Sequence, residues 1–145
     1  GTGFWQIAQE GKIHSLHIGI QKNSNTLKLF DTAHQFGMKY ILADEIFFEN
    51  LPKIYQQIDE LISSVDQLYL TICMDVFNVA IAPGVSAAAY NGIFADATFL
   101  HFYRHILKSE KLVALDVAEV NPDFDIAERT ARLAASLVNE WFMIS

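Results

Sequence analysis

The chain has 145 residues, 52% of them hydrophobic, with 10 basic against 17 acidic side chains and a net charge of −7. That length holds one domain with a real core, residues 1–145 as a single unit, and so apolar a composition excludes a disordered chain. The acidic balance leaves no basic footprint for a nucleic acid or an anionic membrane, so small molecules or proteins are the expected partners.

Short β-type runs alternate with longer helix-period segments. "LHIGIQ" (16–21) is the first expected strand, and the polar loop "KNSN" ends it. A helix follows, capped by Ser24 or Asn25, with Leu27, Phe30, Ala33 and Phe36 on one face and Gly37 as its stop. "KYILADEIF" (39–47) is the second strand. Asn50 and Pro52 open a helix whose Leu51, Ile54, Ile58, Leu61 and Val65 share a stripe. The third strand begins at Leu68, and Asp96 caps a helix bearing Phe99, Leu100, Tyr103, Ile106 and Leu107. "KLVALDVAEV" (111–120) is the fourth strand, and Asp125 with Glu128 forms a capping-box-like pair before a last helix carrying Ile126, Thr130, Leu133, Ala134, Leu137 and Trp141. Strands rich in Val, Ile and Leu, separated by helices, imply an α/β fold with a parallel sheet covered on both faces. Ligands gather beyond the carboxyl ends of such strands. Three polar clusters lie at those ends: Gln21 to Asn25, Cys73 to Asp75, and Glu119 to Asn121.

The lone cysteine, Cys73, permits no intrachain disulfide, and no apolar run reaches the roughly 18 residues of a spanning helix, so the expected setting is the cytoplasm. The opening Gly1-Thr2-Gly3-Phe4-Trp5 has no Met and no charged leader, which gives the expectation of a chain that begins inside a longer product.

On a strand, side chains alternate, so Thr71, Cys73 and Asp75 are expected to point one way and Leu70, Ile72 and Met74 the other. Cys73 and Asp75 then project together and could share a metal. An inert buried thiol beside a turn-capping carboxylate accounts for the same two residues. "APGVSAAAYNG" (82–92) has the small residues that let a backbone approach a ligand, or it is an ordinary βα connection. Glu119, at the end of an apolar strand, is placed to bind an amidinium through paired charge-assisted hydrogen bonds, or to form a loop salt bridge. His101 and His105 have metal-ligand spacing but fall on the polar side of their helix, without the Glu of a zinc-protease motif.

Taken in order, "GIQKNSNT", "ICMDVFNVAIAPGVSA" and "LDVAEVNPDFD" resemble blocks of the carboxyl-terminal half of the arginase/agmatinase/formimidoylglutamase family, the ureohydrolases. Within it, "GIQ…SNT", "APGVSA" and "DIAERTARLAASLV" are most similar to the formimidoylglutamase branch. The resemblance implies a three-layer α/β/α fold and a pair of manganese ions. It also implies hydrolysis of N-formimidoyl-L-glutamate to L-glutamate and formamide, in histidine degradation. It implies that Cys73 and Asp75 stand at metal-ligand positions and that Glu119 faces the amidine. Gln21, Asn23, Ser24 and Asn25 then match the loop that selects the substrate's amino-acid end.

Cys73 stands where the family pattern has an Asp that bridges both metals, and thiolate suits manganese poorly. Ala88 replaces a proline of the pattern. The family's remaining ligands belong to an upstream segment that Gly1-Thr2-Gly3-Phe4 resembles the sequel of. The expectation is therefore a fragment, inactive alone, that pairs with the missing amino-terminal half or with itself through an exposed sheet edge. Two other expectations stand beside it: a non-catalytic interaction module of the same fold, and a hydrolase of another amidine or guanidine such as agmatine.

Overall fold

The computed structural model describes residues 13–144, so the Gly1-Thr2-Gly3-Phe4 stretch lies outside the described residues. Among the described residues four strands alternate with four α-helices: β1 (Leu16–Ile20), α1 (Leu27–Gln35), β2 (Lys39–Leu42), α2 (Leu51–Ser63), β3 (Leu68–Cys73), α3 (Ala97–Leu107), β4 (Leu112–Ala118) and α4 (Arg129–Ile144). β1 pairs with β2 and β3 with β4, both in parallel, which is the α/β arrangement expected from the alternating pattern. Among the described residues these pairings form two separate two-stranded ladders.

The core is built on one side of β3 and β4. Ile72 is buried, and Leu70, Leu115 and Val117 pack against the same cluster, where α2 supplies Ile54 and Ile58, α3 supplies Phe99, Phe102, Tyr103 and Ile106, and α4 supplies Leu137. α3 is the central helix, in contact with both α2 and α4. Asp96 caps it as expected, its Oδ1 accepting the Phe99 N–H at 3.0 Å. Tyr103 then ties α3 to α4 by donating its buried hydroxyl to the Leu137 carbonyl at 2.7 Å. Outside the core, Arg104 donates to both oxygens of Glu140 across the same helix pair, at 2.7 and 2.9 Å.

Several local expectations are corrected. The second strand stops at Leu42 because its N–H is taken by the Glu45 carboxylate at 3.0 Å, which folds the chain into a short turn instead of continuing the ladder. α1 is not capped by Ser24 or Asn25; Thr26 holds the cap position, and Asn25 donates instead to the Gln21 carbonyl at 2.8 Å. The expected apolar face of α1 is only partly covered: Leu27 is 84% exposed, while Phe30, Ala33 and Phe36 are half-buried. Before α4, the Asp125 carboxylate accepts the N–H groups of Thr130 and Ala131, while Glu128 pairs with Arg132 and closes no capping box. Burial pushes the Asp125 carboxyl up, and the bonds from Thr130 and Ala131 outweigh it, leaving it below the usual carboxylate range.

Gly92 ties this frame to the turn after β3. A Cβ there would sit 2.6 Å from the Phe77 carbonyl carbon, 2.7 Å from Asn78 N and 2.7 Å from Val76 O, all backbone atoms. The same stretch is held by Ile93 N–H to Val76 O at 3.0 Å and Asn78 N–H to Ile93 O at 2.8 Å. Gly92→Ala is therefore expected to destabilise the chain by about 2 kcal/mol or more. That corresponds to a fall in melting temperature of roughly 5–10 °C, read by thermal unfolding. A variant that melts within a degree of the parent would show that the two backbones can separate without cost.

Candidate active site

β3 and β4 bring three of the candidate residues to one place. Cys73 is the last residue of β3 and lies in register with Ala118, the last of β4, so Glu119 leaves the neighbouring strand just beyond it. The expected strand alternation does not carry as far as Asp75, because Met74–Val76 turns into a 3-10 helix directly after Cys73. Met74 nevertheless points into the core and is fully buried, which leaves Asp75 on the half-buried side with Cys73. Burial pushes the Cys73 thiol up to about 12, and the nearby Asp75 and then Glu119 carboxylates add to the rise. Glu119 itself is exposed and adopts a left-handed backbone, φ 69°, a conformation that costs a non-glycine residue about 1–2 kcal/mol.

The loop after β1 reaches the same end of the fold. Gly19, at φ 91°, is buried in a register shift of the β1–β2 ladder, and any Cβ there would collide with Val76 of the Asp75 turn. Gln21 follows it and is buried; Ser24 donates to its Oε1 at 3.5 Å, and Asn25 holds its carbonyl. Gln21, Ser24 and Asn25 thus brace one another within a short turn, and Asn23 beside them is exposed.

The small-residue loop of "APGVSA" serves a different purpose from the ligand approach considered for it. Gly84 comes close to its own chain: a Cβ would meet Asp125 Cβ at 2.5 Å and Asp125 Cα at 2.9 Å. Its N–H goes to the buried Thr130 hydroxyl at 2.7 Å, and its carbonyl accepts the Asn121 N–H at 2.7 Å. The loop is therefore a clamp that fixes the Glu119–Asn121 segment against the start of α4. Thr130 appeared in the sequence as one more member of an apolar stripe; its burial beside a Gly-containing loop is what gives its hydroxyl a role. His101 and His105 form no metal pair. His105 Nε2 lies 2.7 Å from Asp59 of α2 and its ring rests on Tyr55, while the His101 ring meets Phe48.

One further carboxylate was missed. Asp116 sits inside the apolar run "LVALDVA", and a charge in the middle of such a strand is a signal that could have been read. It lies in register with Thr71, on the face that carries Cys73.

The manganese pair implied by the resemblance does not fit the donors described here. Among the described residues, no three His, Cys, Asp or Glu side chains gather as a metal site. Cys73 and Asp75 supply one thiol and one carboxylate, and sulfur is a soft donor for a hard, oxygen-seeking ion. The surface hollow of about 320 Å³ lined by Ile81, Phe94, Ala95, Asp96 and Leu133 contains none of the candidate residues.

A parallel α/β frame with acidic side chains meeting at the ends of paired strands defines a protein whose site lies at the strand tips. The arginase family matches residues 1–144, and the chain belongs to that family. It is 43% identical to the formimidoylglutamase of Staphylococcus carnosus over 142 residues, which is 97% of this chain and 46% of the relative. The solved formimidoylglutamase of Bacillus subtilis superposes with a TM-score of 0.89 at 23% identity, over 97% of this chain and 45% of that one. The formiminoglutamase of Trypanosoma cruzi, solved with Mn2+, gives a TM-score of 0.82 at 16% identity, over 99% of this chain and 50% of that one. The chain thus spans about half the length of the relatives it matches. Among the described residues, no helix is long and apolar enough to cross a membrane.

Proposed function

We propose that this chain is the carboxyl-terminal part of a formimidoylglutamase, which adds water across the amidine of N-formimidoyl-L-glutamate and releases L-glutamate and formamide. The observation that carries the reading is the meeting of Cys73, Asp75 and Glu119 at the ends of two paired strands, in a chain so similar to the S. carnosus formimidoylglutamase. Glu119 holds the cationic amidinium by charge-assisted hydrogen bonds and fixes the carbon that water attacks. The loop Gln21, Asn23, Ser24 and Asn25 receives the amino-acid end of the substrate. The cofactor that goes with this reading is manganese, as in the T. cruzi relative, and Asp75 is this chain's hard-oxygen donor toward it. The setting is the cytoplasm, in histidine degradation.

Among the described residues Cys73 and Asp75 alone hold too few donors for that cofactor, so the isolated chain is expected to be inactive, with the amino-terminal part completing the site. The test is a chimera in which this chain replaces the 142 matched residues of the S. carnosus relative. Formamide release from N-formimidoyl-L-glutamate is expected from the chimera with manganese and not from the chain by itself. A folded, manganese-loaded chimera that is silent on this substrate sinks the reading. The thiol at position 73 favours one competing reading, a relative that kept the fold and lost the chemistry. A folded chimera that neither retains metal nor turns over would establish it.

A further inference from the structure

Thr130 is the one member of the α4 stripe that carries a hydroxyl, and it is fully buried at the second position of the helix. A polar group buried there is unfavourable unless it is bonded. Its Oγ1 accepts the Gly84 N–H at 2.7 Å, and the Gly84 carbonyl in turn accepts the Asn121 N–H at 2.7 Å. These bonds link the start of α4, through a single loop residue, to a point just past Glu119. The β3–β4 ladder stops at the Cys73–Ala118 pair, so Glu119 is suspended between that pair and Asn121. Asn121 also donates its Nδ2 to Ser86 Oγ at 3.2 Å, but Ser86 is exposed whereas Gly84 is buried. The tie through Gly84 is therefore the one shielded from water, where a hydrogen bond is stronger.

Backbone strain marks the same circuit. Glu119, Ala127 and Glu128 have φ values of 69°, 53° and 57°, in the left-handed region. Residues with a side chain keep that conformation only where the surroundings hold it. Ala127 and Glu128 bend the chain between Asp125 and α4, so that the Asp125 carboxylate receives the N–H groups of Thr130 and Ala131 at 3.0 and 3.1 Å. That bend delivers the Thr130 hydroxyl to Gly84, whose missing Cβ leaves the space that Asp125 fills.

Resting on the reading of Glu119 as the holder of the amidinium, we infer that Thr130 positions that carboxylate through Gly84 and Asn121. The hydroxyl fixes Gly84, and Gly84 fixes Asn121. Asn121 and Ala118 then keep Glu119 in the strained conformation from which it meets the substrate. Thr130 is a positioning residue and touches no substrate; it works by orientation, and a small displacement of an orienting group is costly to rate.

The experiment compares Thr130→Val, which keeps the shape and removes the acceptor, with Thr130→Ser, which keeps the hydroxyl. Amide hydrogen exchange, measured in the chain and in the chimera described above, reads the relay without turnover. In Thr130→Val the Asn121 amide is expected to exchange about tenfold faster or more relative to the amides of α3, and in Thr130→Ser to stay close to the parent. Turnover by the chimera reads the consequence. Thr130→Val is expected to lower kcat/KM for N-formimidoyl-L-glutamate about tenfold or more, but less than about threefold when Glu119→Gln is already present, because a carboxylate that is gone cannot be misplaced. Thr130→Ser is expected to recover most of that loss. Equal losses with and without Glu119→Gln overturn the inference, as does unchanged Asn121 exchange in Thr130→Val, or a Thr130→Ser variant as impaired as Thr130→Val. Should Thr130→Val not fold, Thr130→Ala is held to the same outcomes. A folded, manganese-loaded parent chimera that is silent on the substrate removes the hydrolase reading, and the exchange contrast between valine and serine still decides whether the hydroxyl holds the segment that carries Glu119.

Discussion

In the chimera, replacing Cys73 by aspartate tightens manganese binding by about tenfold or more. The position is fixed by structure that the substitution does not touch: Cys73 ends β3, paired with Ala118, and the turn that holds Asp75 follows directly. What changes is the donor. The thiol is pushed up to about 12 by burial and by the Asp75 carboxylate, so at neutral pH it is uncharged. A carboxylate brings a negative charge and hard oxygen, both of which manganese prefers. The same change places two carboxylates side by side when no metal is bound, and like charges in a half-buried site repel. The metal-free Cys73→Asp chimera is therefore expected to melt below its parent, and added manganese to raise its melting temperature by more than it raises the parent's. Titration calorimetry gives the affinity and thermal unfolding gives the linkage. Manganese affinity equal to or weaker than the parent's would show that position 73 does not face the metal.

How far the sequence could be read depended on whether an interaction was local. The Asp96 cap was legible because a cap is a pattern of four adjacent residues, and its oxygen does meet Phe99 N–H. The parallel sense of the β3–β4 pair was legible in the alternation of strands and helices; which strands pair was not. Asp75 was placed beside Cys73 for a reason that does not hold: period-two alternation presumes that the strand continues, and the chain bends into a 3-10 turn there. The two residues still meet because Met74 buries itself in the core and turns its neighbours outward. Contacts between distant segments left no such pattern. The Gly84 to Thr130 bond joins residues 46 positions apart, so the loop glycine was read as open to a ligand when its space is filled by Asp125. The unpaired Oδ1 of Asp116 belongs to the same class, since only the finished ladder shows that no donor among the described residues reaches it.

Glu119→Gly is expected to move stability and activity in opposite directions. The residue stands at φ 69°, where a side chain costs about 1–2 kcal/mol and glycine almost nothing, so removing the side chain should stabilise the isolated chain by about 1 kcal/mol. Some of that gain is offset because a flexible glycine also loosens the unfolded chain. In the chimera the same substitution removes the carboxylate proposed to hold the amidinium. Paired charge-assisted hydrogen bonds of this kind are each worth about 1.5–3 kcal/mol, so kcat/KM for N-formimidoyl-L-glutamate should fall at least about a hundredfold. Glu119→Gln keeps the strained backbone and the shape but not the charge, and it should show the activity loss without the gain in stability. The comparison separates a catalytic role from a structural one. A residue that served only the turn would lose no activity on becoming glycine, and strain kept at a strand end beside Cys73 and Asp75 would have no reason to persist. Full turnover by the Glu119→Gly chimera, or a less stable Glu119→Gly chain, would remove Glu119 from the site.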